Sequence, residues 1–325
     1  MWQRRIRLAS LLALGLAGPA RGKELLLDGF DAGPLDASRW HQPEGCGTYY
    51  GRTQIRPPAD PLAIGGGVLR LRLDTYDPTG LAFLGSEIVS NETFAPADGD
   101  PIAVAARVRL VAPVPAGLDA SLFLYRIRPP ADACDASPPR DEIDFELLTS
   151  QLASGQLLTT VYDDEAIGGA GEPVYAFVEG FDPRAWHVLE LDWWADFIEW
   201  RVDGELVRVE VARIPAGPLA VRANFWAPAA DFPDAFASPP DPTGDPAADE
   251  TWTYQIDWIR VTLPEPRGAW RAGAAVAALL ALARVRADRT DPLTRSARAG
   301  VRRGSRRCST RSRVPPPAAG RRGSR

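Results

Sequence analysis

The stretch Asp141–Leu148, read DEIDFELL, constrains this 325-residue chain more than any other. Glu142, Asp144 and Glu146 stand at i, i+2 and i+4, with Ile143, Phe145 and Leu147 between them. Strict alternation over this length predicts a β-strand with one dry and one wet face, because successive side chains of a strand point to opposite sides. The apolar residues then enter a core, and the three acids line up in one row. Carboxylates side by side repel one another and tend to hold a proton between them, so a strand gains nothing from the arrangement. The plain alternative is a surface strand with solvated acids.

Glycoside cleavage gives such a row a purpose. It needs a carboxylate as nucleophile and a carboxylic acid to protonate the leaving oxygen, roughly 5–5.5 Å apart for retention of configuration. Residues i and i+4 of a strand have Cα atoms roughly 13 Å apart. Two glutamates leaning together close most of that gap, where two aspartates would fall short. Asp144 between them would keep one glutamate ionised and raise the pKa of the other.

On these residues the sequence resembles glycoside hydrolase family 16, whose signature is E-x-D-x-E or a form one residue longer. Glu142-Ile143-Asp144-Phe145-Glu146 is the short, bulge-free form of the lichenase-like and xyloglucan-modifying branches. The resemblance implies that Glu142 is the nucleophile, Asp144 the assisting residue and Glu146 the acid/base.

It extends along the chain. In Ser121–Tyr125, Phe123 and Tyr125 share a face and match an aromatic pair of the sugar cleft; two core aromatics are the alternative. Gly85–Asn91 reads as a strand with Ser86 and Ile88 on one face and Glu87 and Val89 on the other, and Glu87 is expected at the substrate. Gln156–Tyr162 places Thr160 and Tyr162 on one face, both implied to meet substrate. His187, Trp193 and the pair Asp203-Gly204 extend the match, with His187 expected in a structural role near the cleft. Asp-Gly between alternating runs is also a strong hairpin signal. Asn224-Phe225-Trp226 resembles the family's N-L-W, whose Asn and Trp approach the sugar. Asp257 matches an aspartate that can help bind a structural calcium. Departures are Leu147-Leu148-Thr149 in place of Phe-Leu-Gly, Ala105 in place of a Glu, and Val89 in place of an Arg beside the substrate.

About a dozen short strands with no convincing helix before residue 267 predict an all-β sandwich. The resemblance, over residues 24–263, makes it a concanavalin A-like jelly roll with substrate across its concave face. The expected organisation is a signal peptide at 1–22, the jelly-roll domain at 23–263, a sorting or membrane segment at 264–286, and a disordered basic tail at 287–325. Arg4, Arg5 and Arg7 ahead of apolar Leu8–Ala17 form the secretory pattern. Pro264-Glu265-Pro266, the apolar run Ala272–Ala283 as a short helix, and flanking Arg271 and Arg284 resemble a bacterial PEP-type sorting signal. That implies an exosortase-type processing enzyme and membrane contact through 268–286. Twelve apolar residues make only about 18 Å of helix, against a hydrocarbon core of ~30 Å.

From Arg284 onward 14 arginines face two acids, which leaves the middle of the chain strongly acidic. An acidic body is a poor nucleic-acid binder, since phosphate contacts need surplus Lys and Arg. The three cysteines, Cys46, Cys134 and Cys308, contain no C-x-x-C spacing, so a zinc site is not expected. Cys46 and Cys134 pair if the protein is exported, or stay as free thiols.

The function expected is therefore a secreted or cell-surface retaining endo-glycoside hydrolase, acting on a β-linked polysaccharide, foremost a β-glucan, with no cofactor beyond a structural calcium. A transglycosylase on the same site, a non-catalytic carbohydrate-binding protein, and a surface protein with a relic site are the alternatives.

Overall fold

The computed structural model describes residues 22–264, apart from 98–99, 112, 136–137 and 167–170. The expected signal segment, sorting segment and basic tail lie outside the described residues, but for Gly22 and Pro264.

The regular structure described consists of strands and two three-residue 3-10 turns. In chain order the strands are β1 (Lys23–Asp28), β2 (Trp40–His41), β3 (Tyr49–Tyr50), β4 (Thr53–Ile55), β5 (Ala63–Ile64), β6 (Leu69–Asp74), β7 (Phe83–Phe94), β8 (Ile102–Val111) and β9 (Asp119–Ile127). They continue as β10 (Pro139–Leu148), β11 (Gln156–Ala166), β12 (Val174–Phe177), β13 (His187–Trp193), β14 (Ile198–Val202), β15 (Glu205–Glu210), β16 (Leu219–Trp226) and β17 (Thr251–Leu263). The expected dozen becomes seventeen because β2 to β5 span two or three residues each, too few to show a period.

One layer runs β12-β11-β10-β9-β16-β7-β2, antiparallel throughout. The other runs β15-β14-β13-β8-β17, with β1 and β6 successively beside β17. β7 belongs to both layers, pairing with β4 and β6 at its start and with β16 and β2 further on. A Cβ on Gly85, where it crosses over, would lie 2.5 Å from Thr53 Cγ2 and 2.7 Å from the Phe225 carbonyl oxygen. Only glycine fits that approach. Asp203 (φ 51°) and Gly204 (φ 85°) make the β14–β15 hairpin the sequence announced.

The two layers bury one apolar core. Ile143, Phe145 and Leu147 of β10 meet it at 0–1% exposure, with Leu189, Leu191 and Trp193 of β13 and Trp200 of β14. The alternation read in DEIDFELL is thus a true inside–outside period, and this is the sandwich expected. β7 departs from its reading: Phe83 to Ser90 are buried on both faces, because the strand lies inside the sheet with walls above and core below. β9 begins at Asp119, two residues before the strand expected at Ser121.

Cys46 and Cys134 form a disulfide across 88 residues of sequence. It ties the loop before β3 to the loop that leads into β10. Closing so long a loop restricts the unfolded chain, so replacing both cysteines by serine is expected to lower stability by about 2–4 kcal/mol. Denaturant melts of the two forms measure the difference; equal midpoints would show that the bridge adds nothing.

Candidate active site

Glu142, Asp144 and Glu146 leave β10 on the face away from the core, and register decides their neighbours. On β9, Tyr125 stands opposite Glu142, Phe123 opposite Asp144 and Ser121 opposite Glu146. On β11, Tyr162 and Thr160 stand opposite Glu142 and Asp144. β16 adds Arg222 opposite Phe123 and Asn224 opposite Ser121, and β7 adds Glu87 opposite Asn224. Nearly all the residues expected at the site therefore share one face of this layer. Phe123, itself buried, and half-buried Tyr125 meet edge to face at 6.3 Å there, on the face of the acids.

The face is not wet. Asp144 is buried, and Glu142 and Glu146 are half-buried. Each acid has its own partners. The Arg140 guanidinium donates to Glu142 at 2.6 Å and lies over the Tyr162 ring at 3.7 Å. The Thr160 hydroxyl donates to Glu146 at 3.3 Å. From the opposite layer the Trp200 indole N–H donates to the Asp144 main-chain carbonyl at 2.9 Å. That bond crosses the core and pins the middle of β10.

Burial raises all three carboxyls. Burial lifts Glu142, and the Arg140 cation beside it pulls it part of the way back. Burial lifts Asp144 well above the carboxylate range, with the charges of Glu142 and Glu146 adding to it. Glu146 is also lifted well above it, by burial and then by the charge of Asp119.

Other residues play parts different from those expected. Both Glu87 oxygens are engaged: Tyr50 O–H donates to one at 2.8 Å and Arg222 to the other at 3.0 Å. Glu87 therefore positions Tyr50 and Arg222 instead of presenting a free carboxylate. Asn224 Nδ2 donates to the Tyr50 hydroxyl at 3.2 Å, and Tyr50 meets the Trp226 ring edge to face at 5.1 Å. Arg222 pairs across strands with Val89 and lies over the Tyr125 ring at 4.5 Å. A cation thus stands beside the position whose arginine the sequence lacks. His187, expected in a structural role near the cleft, lies instead in the other layer, stacked on Phe181 at 4.3 Å with Nδ1 2.7 Å from Asp203, because β13 pairs with β8 and β14 and not with the strands of the acid row.

Asp257 receives Arg107 at 2.8 Å. Among the described residues no three His, Cys, Asp or Glu side chains gather as a metal would require. The side chains around Asp257 do not fit a carboxylate-built calcium site, and no step is derived through one.

The sequence reading missed Tyr50, Asp119, Arg140 and Arg222. Only Asp119 left a signal, in the alternation Asp119-x-Ser121-x-Phe123-x-Tyr125.

Comparison with known proteins points the same way. The model of the family described as glycosyl hydrolases family 16 matches residues 68–260. The beta-glucanase of Brevibacillus brevis is 30% identical over 126 residues, 38% of this chain and 43% of that protein. The chain spans less than half the length of the curated relatives it matches. A prokaryotic β-1,3-1,4-glucanase (lichenase) from a mouse hindgut metagenome superposes with a TM-score of 0.56 at 20% identity, covering 73% of this chain and 98% of that one. The endo-β-1,3-glucanase of Pyrococcus furiosus gives 0.57 at 17% identity, covering 75% and 95%. At these identities the structures speak for a shared fold.

A carboxyl whose pKa is raised by folding keeps its proton in the folded chain while the unfolded chain releases it. The fold therefore loses stability as pH rises above the unfolded value near 4, until the folded group itself titrates. Asp144→Asn is expected to melt about 4 °C above the parent at pH 7 and together with it at pH 4. Calorimetry at the two pH values measures this; a variant less stable at pH 7 would contradict the assignment.

Proposed function

The chain belongs to glycosyl hydrolases family 16, and from that premise we propose that it is a retaining endo-acting hydrolase of a β-glucan. One observation carries the reading: two glutamates of one strand sit in opposite electrostatic surroundings on a concave, aromatic-rimmed face. Arg140 beside Glu142 favours the ionised form a nucleophile needs. A carboxyl beside Glu146, in a buried setting, favours the protonated form an acid needs. Environments that push two carboxyls apart assign their roles.

In the first step Glu142 forms a bond to the anomeric carbon as the glycosidic C–O bond breaks. The departing oxygen takes the proton of Glu146. In the second step water attacks the same carbon, gives its proton to Glu146 and releases Glu142. Asp144 lies between them and tunes both. Phe123, Tyr125, Tyr162 and Trp226 present rings to the apolar C–H faces of pyranose units, and Asn224, Thr160 and Arg222 offer hydrogen bonds to their rims. If a sugar hydroxyl replaces water, the same site transfers instead of hydrolysing, and an added acceptor oligosaccharide separates the two.

The same reading places the protein outside the cytoplasm. The basic-then-apolar N-terminus, the Pro264-Glu265-Pro266 run with its apolar and arginine-rich sequel, and the Cys46–Cys134 disulfide all favour export, with C-terminal sorting at the cell surface. A processing enzyme of the exosortase type is the partner that reading implies.

Reducing-sugar release from laminarin, mixed-linkage glucan, xyloglucan and galactans tests the activity, with Glu142→Gln run beside the parent. We expect release from a β-glucan and a loss of at least about 10⁴-fold in the variant, with polysaccharide binding retained. No release from any substrate, with the polymers still retarding the protein in affinity gels, would replace the hydrolase by a carbohydrate-binding protein.

A further inference from the structure

The row of acids does not end with the three on β10. Asp119, the first residue of β9, stands opposite Leu148 on one side and Trp226 on the other. It falls on the face shared by Ser121, Phe123 and Tyr125, one step beyond the Ser121–Glu146 pair. It is fully buried, and neither carboxylate oxygen has a well-formed hydrogen bond. An orphaned, buried carboxylate is costly wherever it occurs. Elsewhere in the fold such groups are answered: Asp141, equally buried, takes Arg126 and Arg128, each at 2.7 Å. Asp119 has no cation. Its near neighbours are the Glu146 carboxyl, the Ser121 hydroxyl and the Trp226 indole, and of these only Glu146 titrates.

Two carboxyls can bond only through a proton held by one of them. We propose that Asp119 is a positioning residue for Glu146, a fourth carboxyl that shares a proton with it and sets when it gives that proton up. The inference rests on the hydrolase reading for its consequence, but the shared proton exists whether or not the protein turns over a glucan.

The surroundings are consistent with this. Burial brings Asp119 to about 7. The other groups facing the pair are Glu142 and Asp144 on β10, Tyr175 on β12, and Tyr254 of β17 from beneath. All are acids or phenols. Arg140 and Arg222, the cations of the face, are engaged by Glu142 and Glu87. Among the described residues no cation balances Asp119, and the neutral donors Ser121 and Trp226 leave its charge to be met by a proton shared with Glu146.

The consequence follows from charge. With one proton on the pair, an ionised Asp119 makes Glu146 a weaker acid and keeps it protonated to higher pH. Once that proton has gone to the departing oxygen, two anions face each other. Glu146 then becomes the stronger base for the incoming water.

The experiment uses the full chain with glutamate side-chain carboxyls labelled with carbon-13. Glu146, assigned by its loss in Glu146→Gln, is titrated in the parent and in Asp119→Asn. We expect the Glu146 midpoint to fall by about one pH unit in the variant. In parallel, the alkaline limb of kcat/KM should move down by the same amount, about a fivefold loss at the parent's alkaline half-point, with the acidic limb unmoved. Asp119→Leu should give the same shift and a higher melting temperature, since it also removes the buried charge. An unmoved Glu146 midpoint in both variants would overturn the proposal, as would a loss of rate uniform across pH. A parent that cleaves no glucan while its Glu146 midpoint still responds to Asp119 would retire the hydrolase reading alone.

Discussion

Everything at the concave face depends on the register of β10. Ile143, Phe145 and Leu147 are driven into the core by the hydrophobic effect, at about 1.5–3 kcal/mol for each side chain fully buried. With a period of two, that fixes the three acids on the other side. A slip of one residue would put three carboxylates into the core and three large apolar groups into the cleft, which no other feature of the fold could offset. The strand is held by β9 and β11 at its edges and by the Trp200 indole from the far layer at its middle. Apolar burial thus does what the acids, left to their mutual repulsion, would undo.

With the row fixed, the question becomes how the protein tolerates it. The answer differs along the strand. Its start is strongly compensated: Asp141 by two arginines, Glu142 by Arg140. Its far end is not, since Glu146 has a hydroxyl and another carboxyl for company. This gradient, from salt-bridged to proton-sharing, is what makes two chemically identical side chains unequal. On the hydrolase reading proposed above, instability accepted at one end of the strand would be the source of the acid, and ion pairing at the other the source of the nucleophile.

The sequence carried what is local and periodic. Alternation in DEIDFELL, the Asp203-Gly204 turn and the Phe123/Tyr125 face are all properties of consecutive residues, and the structure has them. What it did not carry depends on strand order. Arg222 and Arg140 matter through the neighbours that register gives them, Val89 and Tyr125 for one, Glu142 and Tyr162 for the other. No spacing along the chain encodes those pairs. Asp119 differs: it continues the alternation of Ser121, Phe123 and Tyr125, but the strand expected from the sequence begins at Ser121. Glu87 is expected at the substrate from its place on the strand face it shares with Val89; in the structure each of its oxygens accepts a hydrogen bond, from Tyr50 and from Arg222. The cysteines were legible only as alternatives, since 88 residues of separation give no hint of proximity.

The same charge pattern bears on what the face can accept. Among the described residues it carries Glu87, Asp119, Glu142, Asp144 and Glu146, against Arg140 and Arg222, and both arginines are already engaged. A polymer carrying sulfate or carboxylate groups would lose hydration on entering and find the charge of each guanidinium already balanced by a carboxylate, while facing anions in a half-buried setting where repulsion is poorly screened. A neutral glucan meets no such barrier. Its hydroxyls can bond to carboxylates, to amide and to Tyr hydroxyl, and its apolar faces suit the rings of Phe123, Tyr125 and Trp226. On the hydrolase reading proposed above, electrostatics would therefore favour neutral polysaccharides over charged ones before any loop has to choose among them.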